Sequence, residues 1–339
     1  MFTEALNKVS NGQDMTEQEA SLCLSEIFSG KIPEEKCVSF LKALTEKGES
    51  VDEILGFAKH LSSRSVGVVG LQNAVDTCGT GGSGMARFNV GTTMAFVLAS
   101  GGYPVAKHGN RGSRKPNGSF DLLEALDVNF ELTPEQESAI FKKTGLAFLY
   151  ARAHHPDMKT VGPARAKMNT RSIFNIIGPL CNPANVSFQV VGISNKELGE
   201  KMIQVLKQLG RKRAIVVYGE PGIDEFSISG PSSYWLLNEK GDVSFHNIEL
   251  GIIGIQSHDF ATVPGGDAKT NKDLFFRILN GDSCSGLLEM VALNAGAAIH
   301  VLGRSTSIVD GYHTALDLIS SGQVLEFFES YKSTSNQYL

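Results

Sequence analysis

The sequence DTCGTGGSG at residues 76–84 opens the stretch that decides the fold, which extends to residue 121. It continues as FNVGTT (88–93), KHGNR (107–111) and NGSFD (117–121). A glycine-rich loop that follows an apolar strand brings backbone N–H groups close to an anion. Lys107 comes about one strand, loop, helix and strand later, and its ammonium is a point charge suited to phosphate. Because further polar side chains adjoin Lys107, this stretch predicts that a phosphorylated ligand and a smaller ligand are held side by side.

Strand and helix patterns alternate along the chain from about residue 73. Apolar runs predict strands at 74–77, 104–107, 146–150, 188–193, 214–218 and 234–237. Helical spacing predicts helices at 92–100, 119–126, 197–208, 272–279, 287–301 and 307–320. Such alternation indicates an α/β layer with a central, mainly parallel sheet flanked by helices. The polar tail after Lys332 is expected to fray.

The first 70 residues have only helical patterns. Two capping boxes, at residues 16–19 and 50–53, each precede an amphipathic run. Short amphipathic helices bury little apolar surface by themselves, so these must pack on another region or on a second copy. We therefore predict a small all-helical domain at 1–70, which residues 170–185 join. The α/β domain is predicted at 73–169 and 186–335.

The bulk composition is typical of a globular protein. Hydrophobic residues make up 42% and charged residues 20% of the 339 residues, and the net charge is -5. This charge does not favour binding to nucleic acid. The five cysteines have no paired spacing, which indicates a reducing compartment and neither a disulfide framework nor a zinc site. With no signal-peptide pattern and no apolar run of about 18 residues, we expect a cytoplasmic protein without a membrane span.

Asp224 and Glu225 are adjacent carboxylates that follow the predicted strand 214–218. Mg²⁺ is usually bound by one or two carboxylates together with phosphate oxygens. A solvated acidic turn is the other interpretation of such a pair, and for the pair alone it is the more common one. The glycine loop is similarly ambiguous, because its spacing matches neither the dinucleotide fingerprint nor the Walker loop.

Arg165 lies in a predicted helical segment after His154 and His155. Its guanidinium can bind a carboxylate through two parallel hydrogen bonds, although a surface salt bridge would explain an arginine equally well. Two neighbouring histidines without a third ligand make a poor metal site, so we expect a packed, hydrogen-bonded loop there.

At these residues the chain resembles the anthranilate phosphoribosyltransferase family over nearly its whole length. Beyond the motifs above, the matching segments are GPAR (162–165), RSIFN (171–175), GPLCNP (178–183), GGD (265–267) and LNAGAA (293–298). The resemblance implies a helical domain, an α/β domain and a homodimer joined through the helical domain. It also implies a Mg²⁺-dependent step of tryptophan synthesis. In that step anthranilate and 5-phosphoribosyl 1-diphosphate (PRPP) form N-(5-phosphoribosyl)anthranilate and diphosphate.

Carried over position by position, the resemblance implies three groups of site residues. The PRPP site comprises Gly79, Thr80, Gly81, Gly82, Asn89, Thr92, Lys107 and Ser119. The anthranilate site comprises His108, Asn110 and Arg165, and the metal carboxylates are Asp224 and Glu225. No general acid or base is implied, because the aromatic amine of anthranilate is already a nucleophile.

The chain departs from the family pattern in four places. The family usually has aspartate at Ser83, a metal-binding serine at Gly91, a serine pair at Arg114-Lys115, and Ala-Pro at residues 151–152. The first three lie on the donor side, where Arg87 also adds positive charge. Two alternatives therefore stay open. One is a paralogous glycosyl transferase or phosphorylase with a different donor, and the other is a non-catalytic ligand-binding relative.

Overall fold

The computed structural model describes residues 1–81, 87–112, 116–168, 170–284 and 286–339. The chain begins with four helices, which are α1 (Phe2–Ser10), α2 (Glu17–Phe28), α3 (Glu34–Lys47) and α4 (Val51–Ser63). Both predicted capping boxes are confirmed. The Thr16 hydroxyl accepts from Glu19 N at 3.2 Å, and the Ser50 hydroxyl accepts from Glu53 N at 3.3 Å. Local hydrogen bonding therefore sets where α2 and α4 begin.

A single twisted sheet forms the centre of the following region. In the described ranges its strands are β1 (Val75–Asp76), β2 (Val105–Gly109), β3 (Leu146–Tyr150), β4 (Phe188–Gly192), β5 (Arg213–Gly219), β6 (Ser232–Leu237) and β7 (Val243–Ile248). Their order is β3-β2-β1-β4-β5-β6-β7. The first five are parallel, and β6 and β7 are antiparallel additions at one edge.

Helices connect these strands and cover the sheet. They are α5 (Val90–Ser100), α6 (Ser119–Ala125), α7 (Pro134–Thr144), α8 (Ala151–His154), α9 (Met158–Met168), α10 (Ile173–Ile177), α11 (Leu198–Gln208), α12 (Leu250–Ile253), α13 (Ala268–Leu279), α14 (Leu287–Val301), α15 (Ile308–Ser320) and α16 (Gln323–Asn336). None of these helices, in the part of the chain that is described, is long and apolar enough to cross a membrane.

Alternating side chains of β4 and β5 point into two different cores. Val190 and Val217 join a core formed with α5, α13, α14, α15 and α16. Val191 and Val216 join a second core with α11 and the four N-terminal helices. Successive strand residues face opposite sides, so both faces of the sheet are covered. This confirms the predicted fold class, a small helical domain beside a large α/β domain with a mainly parallel sheet.

The second core also contains residues from later in the chain. It includes Ile173, Phe174 and Leu180 from the region predicted to join the helical domain, and also Val161 and Met168 of α9. The ring of Phe174 packs edge-on against Phe57 of α4, with centroids 6.3 Å apart. The domain limits given above stay a prediction, but this contact is consistent with a return of the chain to the N-terminal helices.

The C-terminal tail differs from its expectation. Helix α16 continues to Asn336, and the side chains of Thr334 and Ser335 are buried. The Asn336 side chain accepts from Asn129 N at 2.8 Å and donates to Asp127 O at 2.9 Å. The prediction of a frayed tail after Lys332 was wrong, because α16 continues there and the Asn336 side chain bonds to the loop before α7.

Candidate functional site

The residues predicted above to bind PRPP lie at the carboxyl edge of the parallel strands. Thr80 N, in the loop after β1, donates to Gly192 O at the end of β4 at 2.8 Å. Gly81 N donates to Asp224 Oδ2, in the segment after β5, at 2.7 Å. Parallel strands end at the same edge, which is where open α/β sheets bind ligands. The structure therefore brings the glycine loop and the acidic pair into direct contact.

Two glycines make this contact sterically possible. A Cβ on Gly79 would lie 2.3 Å from Asp224 Oδ2, and a Cβ on Gly192 would lie 1.7 Å from Asp224 O. Any side chain at either position would push the acidic segment away from the loop. The glycines of this edge are thus required for packing.

Lys107 is buried beside the start of the glycine loop. Its Nζ donates to Thr77 O at 2.8 Å, and the residue is only 3% exposed. A Cβ on Gly91 would lie 3.1 Å from this Nζ and 3.0 Å from Thr77 O. Because glycine has no side chain, position 91 leaves room for the Lys107 ammonium. The serine that the family usually has here would take part of that room.

The other residues of the predicted PRPP site differ in whether their polar atoms already have hydrogen-bond partners. The amide of Asn89 is occupied, since it donates to Asn117 O at 2.9 Å and accepts from Asn271 Nδ2 at 2.8 Å. The hydroxyls of Thr80 and Thr92 are buried and have no hydrogen-bond partner among the described residues. Ser119 is the first residue of α6. Buried hydroxyls without partners are costly, so these two favour a polar ligand.

Some predicted positions lie outside the described residues. These are Gly82 of the donor set and the departures Ser83, Arg114 and Lys115. Gly112 and Gly118, which flank Arg114 and Lys115 in the sequence, both bond to one carboxylate. Asp121 Oδ2 accepts from Gly112 N at 2.7 Å and from Gly118 N at 2.8 Å.

Arg87 pairs with both predicted metal carboxylates. Its guanidinium donates to Asp224 Oδ1 at 2.5 Å and to Glu225 Oε2 at 3.4 Å. Burial alone would raise the pKa of Asp224. The charge of Arg87 and the hydrogen bonds from Arg87 and Gly81 N outweigh burial, so the pKa of Asp224 lies below its ordinary value. At Glu225 burial dominates and raises the pKa to about 8, against the pull of Arg87. Sequence reasoning noted the charge of Arg87 but not this pairing, which joins residues 137 positions apart.

Arg171 and Ser194 are site residues that sequence reasoning missed. Arg171 donates to Ser194 Oγ at 2.8 Å and also to the carbonyl oxygen of Gly81. The Ser194 hydroxyl also donates to Gly81 O, at 3.3 Å. Together they fix the glycine loop against the end of β4. Arg171 opens the RSIFN segment quoted above, but no local pattern shows which loop it contacts.

The predicted acidic pair supplies the right chemistry for a divalent cation but is already engaged. Carboxylates are hard oxygen ligands that suit Mg²⁺. Both oxygens of Asp224 are hydrogen-bonded, one to Gly81 N and one to Arg87. Within the described ranges no group of three or more His, Cys, Asp or Glu side chains could hold a metal ion. A cation therefore fits here with added ligands, such as phosphate oxygens, and would compete with Arg87 for the carboxylates.

On the acceptor side, His108 and His155 form a buried pair. Their ring centroids are 5.2 Å apart, and His155 Nε2 lies 2.9 Å from Cys181 O. Both ring nitrogens of His108 are buried without a hydrogen-bond partner in the described part of the chain. His154 lies 2.7 Å from Val66 O and 3.0 Å from Glu137 Oε1, which confirms the expected hydrogen bonding, but it ends helix α8 and does not lie in a loop. His108 is thus free to bond to a ligand.

Arg165 is half-buried on α9 with its guanidinium 5.5 Å from the centre of the Phe174 ring. It makes no salt bridge with any described residue. Burial lowers its pKa. Asn110, by contrast, is exposed, and its Oδ1 accepts from Arg111 N at 2.8 Å. A guanidinium that is partly desolvated and without a carboxylate is suited to bind an anionic ligand.

The buried histidines should make the fold sensitive to acid. Burial lowers the pKa of His155 to about 4, and that of His108 falls well below 6.5 for the same reason and because of the neighbouring histidines. Because the folded-state pKa is depressed, this stability is present above about pH 6.5 and is lost as pH falls towards 4. Each histidine then costs about 1.4 kcal/mol per pH unit in that window.

We therefore expect His155→Gln, which keeps an N–H donor for Cys181 O, to lose less stability than the parent between about pH 7 and pH 5. Urea unfolding at both pH values measures the free energy of unfolding for the two proteins. Equal losses in parent and variant would show that His155 is not buried in its neutral form.

The two domains match the models of one class of protein. Residues 3–65 match the helical bundle domain and residues 71–325 the a/b domain of a glycosyl transferase family. The anthranilate phosphoribosyltransferase of Lactococcus lactis subsp. cremoris is 41% identical, covering 95% of this chain and 96% of the relative. That of Rubrobacter xylanophilus is 38% identical, covering 99% and 98%.

Solved structures with a similar fold are also anthranilate phosphoribosyltransferases. The anthranilate phosphoribosyltransferase of Thermus thermophilus superposes with a TM-score of 0.90 at 32% identity, covering 98% of this chain and 99% of the other. The enzyme of Saccharomyces cerevisiae in complex with PRPP and Mg has the same fold, with a TM-score of 0.90 at 22% identity over 99% and 98%. The chain belongs to the anthranilate phosphoribosyltransferase family.

Proposed function

We propose that this chain transfers the phosphoribosyl group of PRPP to anthranilate in tryptophan biosynthesis, releasing diphosphate. The observation that carries this proposal is the direct bond from the glycine loop to Asp224, with the Lys107 ammonium buried beside the same loop. Family membership over nearly the whole chain supports it.

The donor site combines neutral and charged donors at the sheet edge. We assign to PRPP the Thr80 and Thr92 hydroxyls, the Lys107 ammonium and those N–H groups of the loop that do not bond within the protein. The same role is proposed for Gly79, Gly81, Gly82, Asn89 and Ser119. Donors held in place before the substrate arrives stabilise charge as it develops on the departing diphosphate. Arg171 would act indirectly, by fixing Gly81.

The acceptor site would bind anthranilate at both of its polar groups. We assign its carboxylate to Arg165, which has no carboxylate partner among the described residues. His108 remains neutral near pH 7 because burial lowers its pKa, and its unprotonated ring nitrogen would accept from the amine. Asn110 would line the same site. Holding the amine against C1 of the ribose contributes through orientation rather than through proton transfer.

In the proposed reaction the amine nitrogen forms a bond to C1 while the bond from C1 to the diphosphate oxygen breaks. The bonding electrons leave with diphosphate, and the proton that the nitrogen then loses passes to water or to the diphosphate. Mg²⁺, bound by Asp224, Glu225 and phosphate oxygens, would neutralise charge on the leaving group. No strong general base is required.

A fluorescence assay tests the function. Anthranilate fluorescence should fall only when PRPP and Mg²⁺ are both present, with one diphosphate released for each anthranilate consumed. The matched control omits PRPP. Donor binding without any loss of anthranilate would contradict the proposed acceptor, and failure to bind PRPP would contradict the proposed donor.

We also propose a homodimer formed through the helical domain, in the cytoplasm. The N-terminal helices pack one face on the α/β domain, and the remaining outer face would be shared by two copies in an isologous contact. Light scattering at micromolar concentration should give twice the 36.4 kDa chain mass. A mass of one chain would rule out a stable dimer.

A further inference from the structure

Arg87 and the two carboxylates that it contacts are largely shielded from solvent. The side chains of Arg87, Asp224 and Glu225 are 17%, 8% and 20% exposed. Asn271 Nδ2 donates to Arg87 O at 3.0 Å, which anchors the backbone from which this side chain extends. The ion pair of Arg87 with Asp224 is therefore mostly screened from water, unlike the exposed salt bridges of the surface.

The guanidinium occupies one oxygen atom of each carboxylate that a divalent cation would use. Arg87 bonds to one oxygen of Asp224 and one of Glu225, while Gly81 N takes the other oxygen of Asp224. Arg171 adds a second positive charge nearby, since it bonds to the carbonyl oxygen of Gly81, whose N–H bonds to Asp224. A cation approaching without a ligand would compete with Arg87 for the carboxylates and meet the repulsion of both arginines.

We propose that Arg87 is a resident counter-ion of the Asp224–Glu225 pair, and that it keeps divalent cations off the pair until the phosphorylated donor arrives. This deepens the proposed function and rests on it. A diphosphate offers the guanidinium alternative oxygen partners of matching geometry. Arg87 can then turn to the phosphates while the cation takes the carboxylates, so donor and metal bind together.

Metal binding in the absence of both substrates tests this directly. Mn²⁺ serves as the probe, and free Mn²⁺ is followed by electron paramagnetic resonance for the parent, Arg87→Gln and Arg87→Lys. We expect Arg87→Gln to bind Mn²⁺ about tenfold or more tightly than the parent, as close charge pairs of this kind imply. Arg277→Gln is the matched control. It removes the same charge from an arginine that pairs with Asp282 at 2.7 Å on the surface, and should leave the affinity unchanged.

Equal Mn²⁺ affinity in the parent and Arg87→Gln would overturn the proposal. If the unpaired carboxylates prevent Arg87→Gln from folding, Arg87→Lys decides. Lysine keeps the charge but lacks the fork that reaches both carboxylates, so at least a threefold gain is expected and no gain overturns the idea. Since neither substrate is present, a gain in Mn²⁺ binding with no anthranilate turnover would reject the proposed function while leaving the counter-ion role of Arg87 intact.

Discussion

Replacing Asp224 by Asn and Glu225 by Gln together is expected to lower kcat/KM for phosphoribosyl transfer by about 10³-fold or more. The amides keep the size of both side chains but remove the negative charge that would hold the cation. The Gly81 N–H can still donate to the oxygen of Asn at position 224, so the loop contact survives. Steady-state assays with saturating Mg²⁺ measure the effect, and urea unfolding confirms that the variant is folded.

The matched control for this variant is Glu239→Gln with Asp242→Asn. These two carboxylates lie in the exposed turn between β6 and β7, far along the sheet from the glycine loop. The control makes the same change in net charge and should retain full activity. Full activity of the parent in EDTA would contradict the role of the acidic pair as metal ligands.

Arg165→Ala is expected to raise the KM for anthranilate by about 100-fold and to change the KM for PRPP by less than about twofold. The reason is that only the acceptor carries the carboxylate we assign to this guanidinium. A fall in kcat is also expected if the amine is misplaced once the carboxylate is free. Initial rates with each substrate varied in turn separate the two KM values.

Lys167→Ala on the same helix is the control for Arg165→Ala. Lys167 is exposed and pairs with Glu34 at 2.7 Å, so its loss should not affect either substrate. Arg165→Lys should recover only part of the anthranilate affinity, since a point charge cannot reproduce the two parallel bonds of the guanidinium. An unchanged anthranilate KM in Arg165→Ala would remove Arg165 from the site.

Much of the fold follows from local periodicity. The capping boxes at Thr16 and Ser50 and the apolar runs that became β3 and β5 depend on neighbours a few residues away. Such signals are complete within a short window, so a single sequence contains them. Strand β7 has a half-exposed, polar pattern and was not predicted, and the end of α16 depends on contacts with residues 127–129.

The sequence by itself predicted the kind of site, because a glycine loop and two carboxylates each followed a predicted strand and a lysine ended another. It could not determine their partners. Three contacts join segments that lie far apart in the chain. Arg87 bonds to Asp224, Arg171 bonds to Gly81, and Lys107 fills the space beside Gly91. Only the tertiary structure decided these contacts, since ion pairing and steric fit act through space and leave no periodic trace along the chain.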